Sequence, residues 1–246
     1  MATVAIKGED DLRRSVRALT GVTLNEDQLA SFAIYASELF EWNQRSNLTS
    51  ISSPGEVERK HFLDSLSCLL VMGTQPVGRL IDIGSGAGFP GLPLKIAAPS
   101  LTVLLVDSVA KKLDFCQHMI DLLKLKDIEI LHARAEEVGR LEEHRQTYDW
   151  AVARSVASLP TLVEYLLPQV KIGGRAIAQK GTTASEETQD AEEAVRTLGG
   201  ELEELLEVEL PGVDAARFLV VLKMVQETPA AYPRRDGVPA KRPLGS

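Results

Sequence analysis

The run Leu80-Ile81-Asp82-Ile83-Gly84-Ser85-Gly86-Ala87-Gly88-Phe89-Pro90-Gly91 sets a short apolar strand and a carboxylate ahead of a glycine turn, with Pro90 and Pro93 opening a helix behind it. Bare backbone at that turn lets a ligand come close. Two ligand classes compete for it, because Gly86-x-Gly88-x-x-Gly91 also fits the dinucleotide fingerprint, in which a pyrophosphate sits on the helix N-terminus. Asp82, two residues before the first glycine, would repel a pyrophosphate and suit the ammonium and sulfonium of S-adenosylmethionine (AdoMet). Counted from Gly84, the fingerprint also wants glycine where Phe89 stands. Asp107, ending the next apolar strand, can accept hydrogen bonds from both ribose hydroxyls of either ligand, or cap the helix starting near Ala110. Taken together, the two aspartates and the glycines favour AdoMet.

Methyl transfer from a sulfonium is a direct displacement, so the acceptor decides what further groups are needed. Methylating the fifth carbon of a pyrimidine requires a nucleophilic cysteine, and neither Cys68 nor Cys116 ends an expected strand. Exocyclic amines call for an Asn/Asp-Pro-Pro-aromatic turn after the fourth strand, where this chain reads Val152-Ala153-Arg154-Ser155-Val156-Ala157. A ring nitrogen such as guanine N7 offers a lone pair and carries no proton. It needs no base, and the sequence offers no evident one.

The elements that must position these residues fall into three stretches. Residues 1–75 read as a helical extension. Leu29, Phe32, Ala33, Ala36, Leu39 and Phe40 recur at helical spacing between Leu24 and Gln44, with Thr23 and Glu26 as a capping box. After a polar loop from Asn43 to Ser53, a second helix is expected from about Pro54 to Val71, with Phe62, Leu63, Leu66, Leu69 and Leu70 inward. Residues 76–226 read as the ligand-binding domain. The strands Leu80–Ile83, Thr102–Val106, Ile128–Leu131, Trp150–Ala153 and Ala176–Ala178 alternate with helices, which predicts a parallel sheet covered on both faces. Glu204–Leu210 and Arg217–Met224, joined by Pro211-Gly212, predict a closing hairpin with one antiparallel strand, making seven strands. Residues 227–246 hold Pro229, Pro233, Pro239 and Pro243 beside Arg234, Arg235, Lys241 and Arg242, an extended basic tail unable to form a helix. It is either strapped over the sheet or an RNA-contacting arm.

A chain of 246 residues, 44% apolar and 25% charged, is expected to fold as an ordinary soluble protein. Met1 to Thr20 carries Lys7, Asp10, Asp11 and Arg13 where a secretory leader would be apolar, so a cytoplasmic location without membrane contact is expected. Two cysteines are too few for a disulfide framework and wrongly spaced for zinc, so no metal is expected and both read as small buried hydrophobes. The net charge of −8 argues against a nucleic-acid partner only on average. Ser185 to Glu209 alone carries −9 and leaves +1 for the remainder, so the acidity belongs to one helix face and an edge strand.

The chain resembles the ribosomal RNA small subunit methyltransferase G family, also called glucose-inhibited division protein B. The likeness is carried by Asn47-Leu48-Thr49, His61-Phe62-Leu63-Asp64-Ser65, the loop from Asp82 to Lys95, and Asp107-Ser108 with Lys111-Lys112. It continues through Ala135-Glu136, Ala153-Arg154, Lys180-Gly181 and Tyr232-Pro233-Arg234-Arg235 with Gly237, Pro239 and Lys241. The resemblance implies a Rossmann-like class I AdoMet-dependent fold and methylation of guanine N7 in a conserved loop of 16S ribosomal RNA near the decoding centre. It implies 16S rRNA or the small ribosomal subunit as partner, and a monomer is expected.

By the same resemblance Gly84, Phe89, Ala135, Glu136 and Arg154 contact AdoMet, joining Asp82, Gly86, Gly88 and Asp107. Arg154, at the carboxyl end of the fourth strand, can engage a carboxylate or the acceptor base. His61, Asp64 and Ser65 share a helix face and either pack together or line the acceptor pocket. Lys60 stands where the family often has arginine, and with Lys180, Arg234, Arg235 and Lys241 it is a candidate RNA contact. Ser155 replaces a more usual alanine after Arg154. Two other classes stay open: an NAD-dependent oxidoreductase using the same loop, and a ribosome-assembly factor without catalysis.

Overall fold

The computed structural model describes residues 9–46, 48–49 and 57–245, the side chains of residues 9, 10 and 58–60 excepted. Asn47, the loop residues 50–53, the expected helix start at Pro54 and the side chain of Lys60 lie outside the described residues.

Seven strands form one sheet: β1 Gly78–Ile83, β2 Leu101–Asp107, β3 Ile128–His132, β4 Tyr148–Arg154, β5 Val170–Lys180, β6 Gly200–Val208 and β7 Arg217–Met224. Their order is β3-β2-β1-β4-β5-β7-β6. β1 to β5 run parallel, and β7 is antiparallel to both β5 and β6. The antiparallel β7 slotted between β5 and β6 separates this sheet from the 3-2-1-4-5-6 order of dinucleotide-binding domains.

The helices are α1 Glu9–Thr20, α2 Glu26–Ser46, α3 Asp64–Leu66 behind a π-turn at Glu58–Leu63, α4 Leu69–Met72, α5 Gly91–Ala97 and α6 Ala110–Leu122. They continue with α7 Ala135–Val138, α8 Leu159–Leu166, α9 Ala184–Asp190, α10 Glu192–Thr197 and α11 Val238–Lys241. Alternation along the strands divides the interior. Leu80, Val103, Leu105, Val152 and Ile177 face the helices of the N-terminal extension, α5 and α6. Ile81, Val106, Ala151, Ala178 and Val220 face α8 and α10. Both sheet faces are covered, as the near-continuous apolar strands require. The acidic stretch lies on α9, α10 and the edge strand β6, where Glu201, Glu203 and Glu204 are exposed.

Several local expectations are corrected. The cap of α2 is Asn25 with Gln28 rather than Thr23 with Glu26. The Asn25 amide donates to the Gln28 side chain at 2.9 Å and the Gln28 amide to the Asn25 side chain at 2.8 Å. Phe40 and Leu70 are exposed, because each falls just past the edge of its buried stripe. The single helix expected up to Val71 is broken into the π-turn, α3 and α4. β5 begins six residues before the expected Ala176, since Gly173 and Gly174 sit inside the strand rather than ending it. The tail is not wholly extended: Pro239 occupies the first turn of α11, where its missing N–H costs no hydrogen bond. Both cysteines are free and fully buried.

Candidate functional site

The carboxyl ends of β1, β2 and β4 meet where the strand order reverses, the position at which open α/β sheets take their ligands. Leaving β1, the chain makes left-handed turns at Gly84, Gly86 and Gly88, with φ of +72°, +57° and +92°. At Gly84 a Cβ would lie 2.5 Å from Val156, and at Gly88 one would lie 2.2 Å from Leu92 and 2.9 Å from the Tyr35 hydroxyl. Glycine is required at both by conformation and by space.

Two aspartates hold this loop from opposite sides. Asp107 Oδ2 accepts the Gly86 amide at 2.8 Å and Oδ1 accepts the Val109 amide at 2.8 Å, so one side chain ties the β1 loop to the start of α6. Asp82 is fully buried beneath the loop. Its Oδ2 accepts the Gly91 amide at 2.8 Å, while Oδ1 has no hydrogen-bond partner among the described residues. Burial raises the Asp82 carboxyl to about 7, opposed by the Gly91 hydrogen bond and the Arg154 charge. Asp107 lines a cavity, and Asp82 lies buried beneath the loop that borders it.

That cavity, of about 270 Å³, is walled by Gly84, Asp107, Ala135, Glu136, Ser155 and Tyr165 among others. Gly86, Gly88, Phe89 and Arg154, also expected at the ligand, lie beside this cavity and are not among the residues that wall it. Ser155 holds a left-handed backbone, φ +57°, unusual for a residue with a Cβ, and this turns the chain out of β4 into the cavity wall.

Beside the loop lies a second constellation, drawn from elements far apart in sequence. The Arg154 guanidinium donates to Asp64 Oδ2 at 2.9 Å, approaches His61 Nδ1 at 3.0 Å, and stands 4.9 Å from the centre of the Phe89 ring. The His61 ring stacks on Phe89 at 4.5 Å, and Phe89 stacks on Tyr35 at 5.3 Å. His61 Nε2 meets the Thr49 hydroxyl at 2.8 Å. Burial first, and then the Arg154 charge, lowers His61 to about 3, so it is neutral at pH 7. Ser65 points back to the His61 carbonyl at 2.6 Å and is fully buried, which makes it a support of the helix. The arrangement holds a cation, a carboxylate and a neutral imidazole in place without leaving an obvious proton acceptor.

The model of the rRNA small subunit methyltransferase G family matches residues 28–212. Ribosomal RNA small subunit methyltransferase G of Roseiflexus castenholzii is 52% identical over 96% of this chain and 99% of its own length. That of Alkaliphilus metalliredigens is 45% identical over 91% and 94%. The chain belongs to the rRNA small subunit methyltransferase G family. Membership makes it an rRNA methyltransferase. Among solved structures, a SAM-dependent methyltransferase from Aquifex aeolicus covers 73% of this chain and 98% of itself with a TM-score of 0.55 at 17% identity, a likeness of fold.

In this member of the methyltransferase G family, the candidate RNA contacts divide. Lys180 is committed inside the protein, donating to the Ala157 carbonyl at 2.6 Å and to Glu187 at 2.7 Å. It fixes the turn after β4, because Glu187 also accepts the first amide of α8 at 2.6 Å. Arg234 is likewise committed, to Glu164. Arg235 and Lys241 are exposed. Tyr35, Glu164 and Tyr165 were not expected from the sequence, and Thr49 was named only within the Asn47-Leu48-Thr49 motif. Tyr35 was within reach, since it falls three residues after Phe32 and four before Leu39 on the buried face of α2. Glu164 gave no signal, being one acid within an apolar helix. Among the described residues no group of three or more His, Cys, Asp or Glu could hold a metal, and no helix is long and apolar enough to cross a membrane.

Proposed function

We propose that the chain uses AdoMet to methylate N7 of a guanine in 16S ribosomal RNA, in a conserved loop near the decoding centre of the small subunit. The observation that carries this reading is the juxtaposition of a glycine-loop cavity with the Arg154–Asp64–His61–Phe89 cluster, in which every polar group is held and none is poised as a base. The cavity fits AdoMet in its chemistry. Asp107 offers carboxylate oxygens to ribose hydroxyls at the end of β2, Ala135 and Glu136 line the side expected for adenine, and Gly84 presents bare backbone at the cavity wall. Bound there, AdoMet supplies an electrophilic methyl group on a positively charged sulfur.

The residues of the chain then have three tasks. Gly84, Asp107, Ala135 and Glu136 hold the donor. Phe89, stacked between Tyr35 and His61, stiffens the loop so that donor and acceptor keep one alignment, which is most of what a displacement needs. Arg154 joins the two sites and, oriented by Asp64, donates to a carboxylate of the donor or to the O6 acceptor of a guanine. N7 carries no proton, so a neutral, doubly engaged His61 is no obstacle. Contact with RNA phosphates is assigned to the exposed Arg235 and Lys241 and, from its charge alone, to Lys60.

A thermal shift experiment separates the donor classes. AdoMet should raise the melting temperature and NAD(H) should not. Labelled methyl from AdoMet should then enter 16S rRNA offered as naked RNA, as an assembly intermediate or as the finished subunit. Protection by NAD(H) alone, or binding to subunits without label transfer, would overturn the AdoMet reading of the cavity.

A further inference from the structure

The segment from Thr228 to Gly237 is fixed at several points, and these converge on the donor cavity. Arg145 donates to the Tyr232 carbonyl at 2.7 Å and the Thr228 carbonyl at 2.6 Å. Glu164, on α8, has no exposed surface, yet it receives the Arg234 amide at 2.6 Å, Nε at 3.0 Å and Nη2 at 2.6 Å. Three residues later Gly237, in a left-handed conformation with φ +74°, donates its amide to Glu136 Oε1 at 2.8 Å. Glu136 is itself buried and walls the donor cavity. Tyr165, the neighbour of Glu164, walls the same cavity, and burial followed by the charges of Glu136 and Glu164 pushes its hydroxyl up to about 12.

A buried carboxylate is costly unless its lone pairs are filled, so an anchor that served only to hold the segment down would be better made of apolar side chains. The forked bond between Glu164 and Arg234 adds direction and register, which apolar packing does not. Register matters here because the Gly237 amide must arrive at a single oxygen of Glu136.

We infer that Glu164 is a positioning residue for donor binding: through Arg234 it sets the C-terminal segment so that Gly237 orients Glu136 at the wall of the donor cavity. This rests on the AdoMet reading of that cavity. The full-length chain, the variants Glu164→Gln, Arg234→Ala, Arg234→Lys and Gly237→Ala, and a remote core truncation, Val195→Ala, would be compared by calorimetric titration with AdoMet and by steady-state methylation of RNA. Glu164→Gln, Arg234→Ala and Gly237→Ala should each raise Kd and KM for AdoMet about tenfold while kcat and KM for RNA stay unchanged. Arg234→Lys, which keeps the charge and loses the fork, should fall between them and the parent. Val195→Ala should melt lower without weakening AdoMet. Gly237→Ala, remote from the buried pair, serves if Glu164→Gln does not fold. Unchanged AdoMet affinity in the three variants, an equal loss in Val195→Ala, or a change confined to KM for RNA would overturn the inference. Failure of the parent chain to bind AdoMet would instead overturn the donor reading.

Discussion

Arg154, the last residue of β4, donates to Asp64 at 2.9 Å across ninety positions of sequence, with both side chains largely buried. The pair ties the N-terminal helices to the carboxyl edge of the sheet. Arg154→Ala should lower turnover or AdoMet affinity severely while leaving the fold intact, read from steady-state kinetics beside a circular dichroism spectrum. Unaltered kinetics would remove Arg154 from the site.

Asp64→Ala breaks the same pair from its other side and strands a buried guanidinium. We expect a loss of stability of about 3 kcal/mol in urea titration, together with reduced turnover. A stable variant with normal turnover would mean that His61 and Phe89 orient Arg154 unaided.

The Asp82 carboxyl, raised by burial to about 7, makes stability depend on pH in a particular direction. Between the ordinary carboxylate range and about 7 the folded chain binds more protons than the unfolded one, so Asp82 contributes a fall in stability as pH rises through that window. Asp82→Asn should flatten this fall by a few kcal/mol in a series of urea titrations from pH 4 to 8. A cationic donor favours the ionised carboxyl, so AdoMet affinity should also climb as pH rises through 7 and then level off. A parent curve that matches that of the variant would show Asp82 ionised throughout.

His61 has the opposite sign. Lowered to about 3, it stays neutral in the folded chain while the unfolded chain takes up a proton below about 6.5. Its contribution to stability is present above that value and is lost as pH falls towards 3. With no role as a base, it should leave no ascending limb near 6.5 in the pH profile of kcat for methyl transfer. Such a limb, abolished in His61→Gln, would make His61 a proton acceptor after all.

Gly88→Ala tests the loop itself. The added methyl would meet Leu92 at 2.2 Å on a backbone with φ +92°, and we expect a stability loss of about 2 kcal/mol and weaker AdoMet binding. Near-parent values for both would mean that the loop relaxes freely.

The parallel sheet was legible because strands buried on both faces write themselves as short apolar runs, whereas the order of β1 to β5 was not, since right-handed crossovers allow more than one doubly wound order. β7 announced itself through the Pro211-Gly212 turn, whose flanking segments pair as expected. His61, Asp64 and Arg154 could be nominated, but their meeting could not, since it depends on how α3 docks against β4 and β5. For Asp82, spacing gives its place on the strand and says nothing of the Gly91 amide that closes over it. Composition left the tail open between a strap over the sheet and an RNA-contacting arm, and it could not show that Arg234 finds a buried partner in Glu164, an acid that nothing local distinguishes.

The atom that receives the methyl group is the most direct test of the proposed reaction. Labelled 16S rRNA, recovered after reaction with methyl-labelled AdoMet, would be treated chemically to cleave at N7-alkylated guanines and the break mapped. A single break at a guanine in the loop near the decoding centre, absent with Arg154→Ala, is the predicted result. Label at a carbon or an exocyclic amine, or in a different molecule altogether, would contradict it.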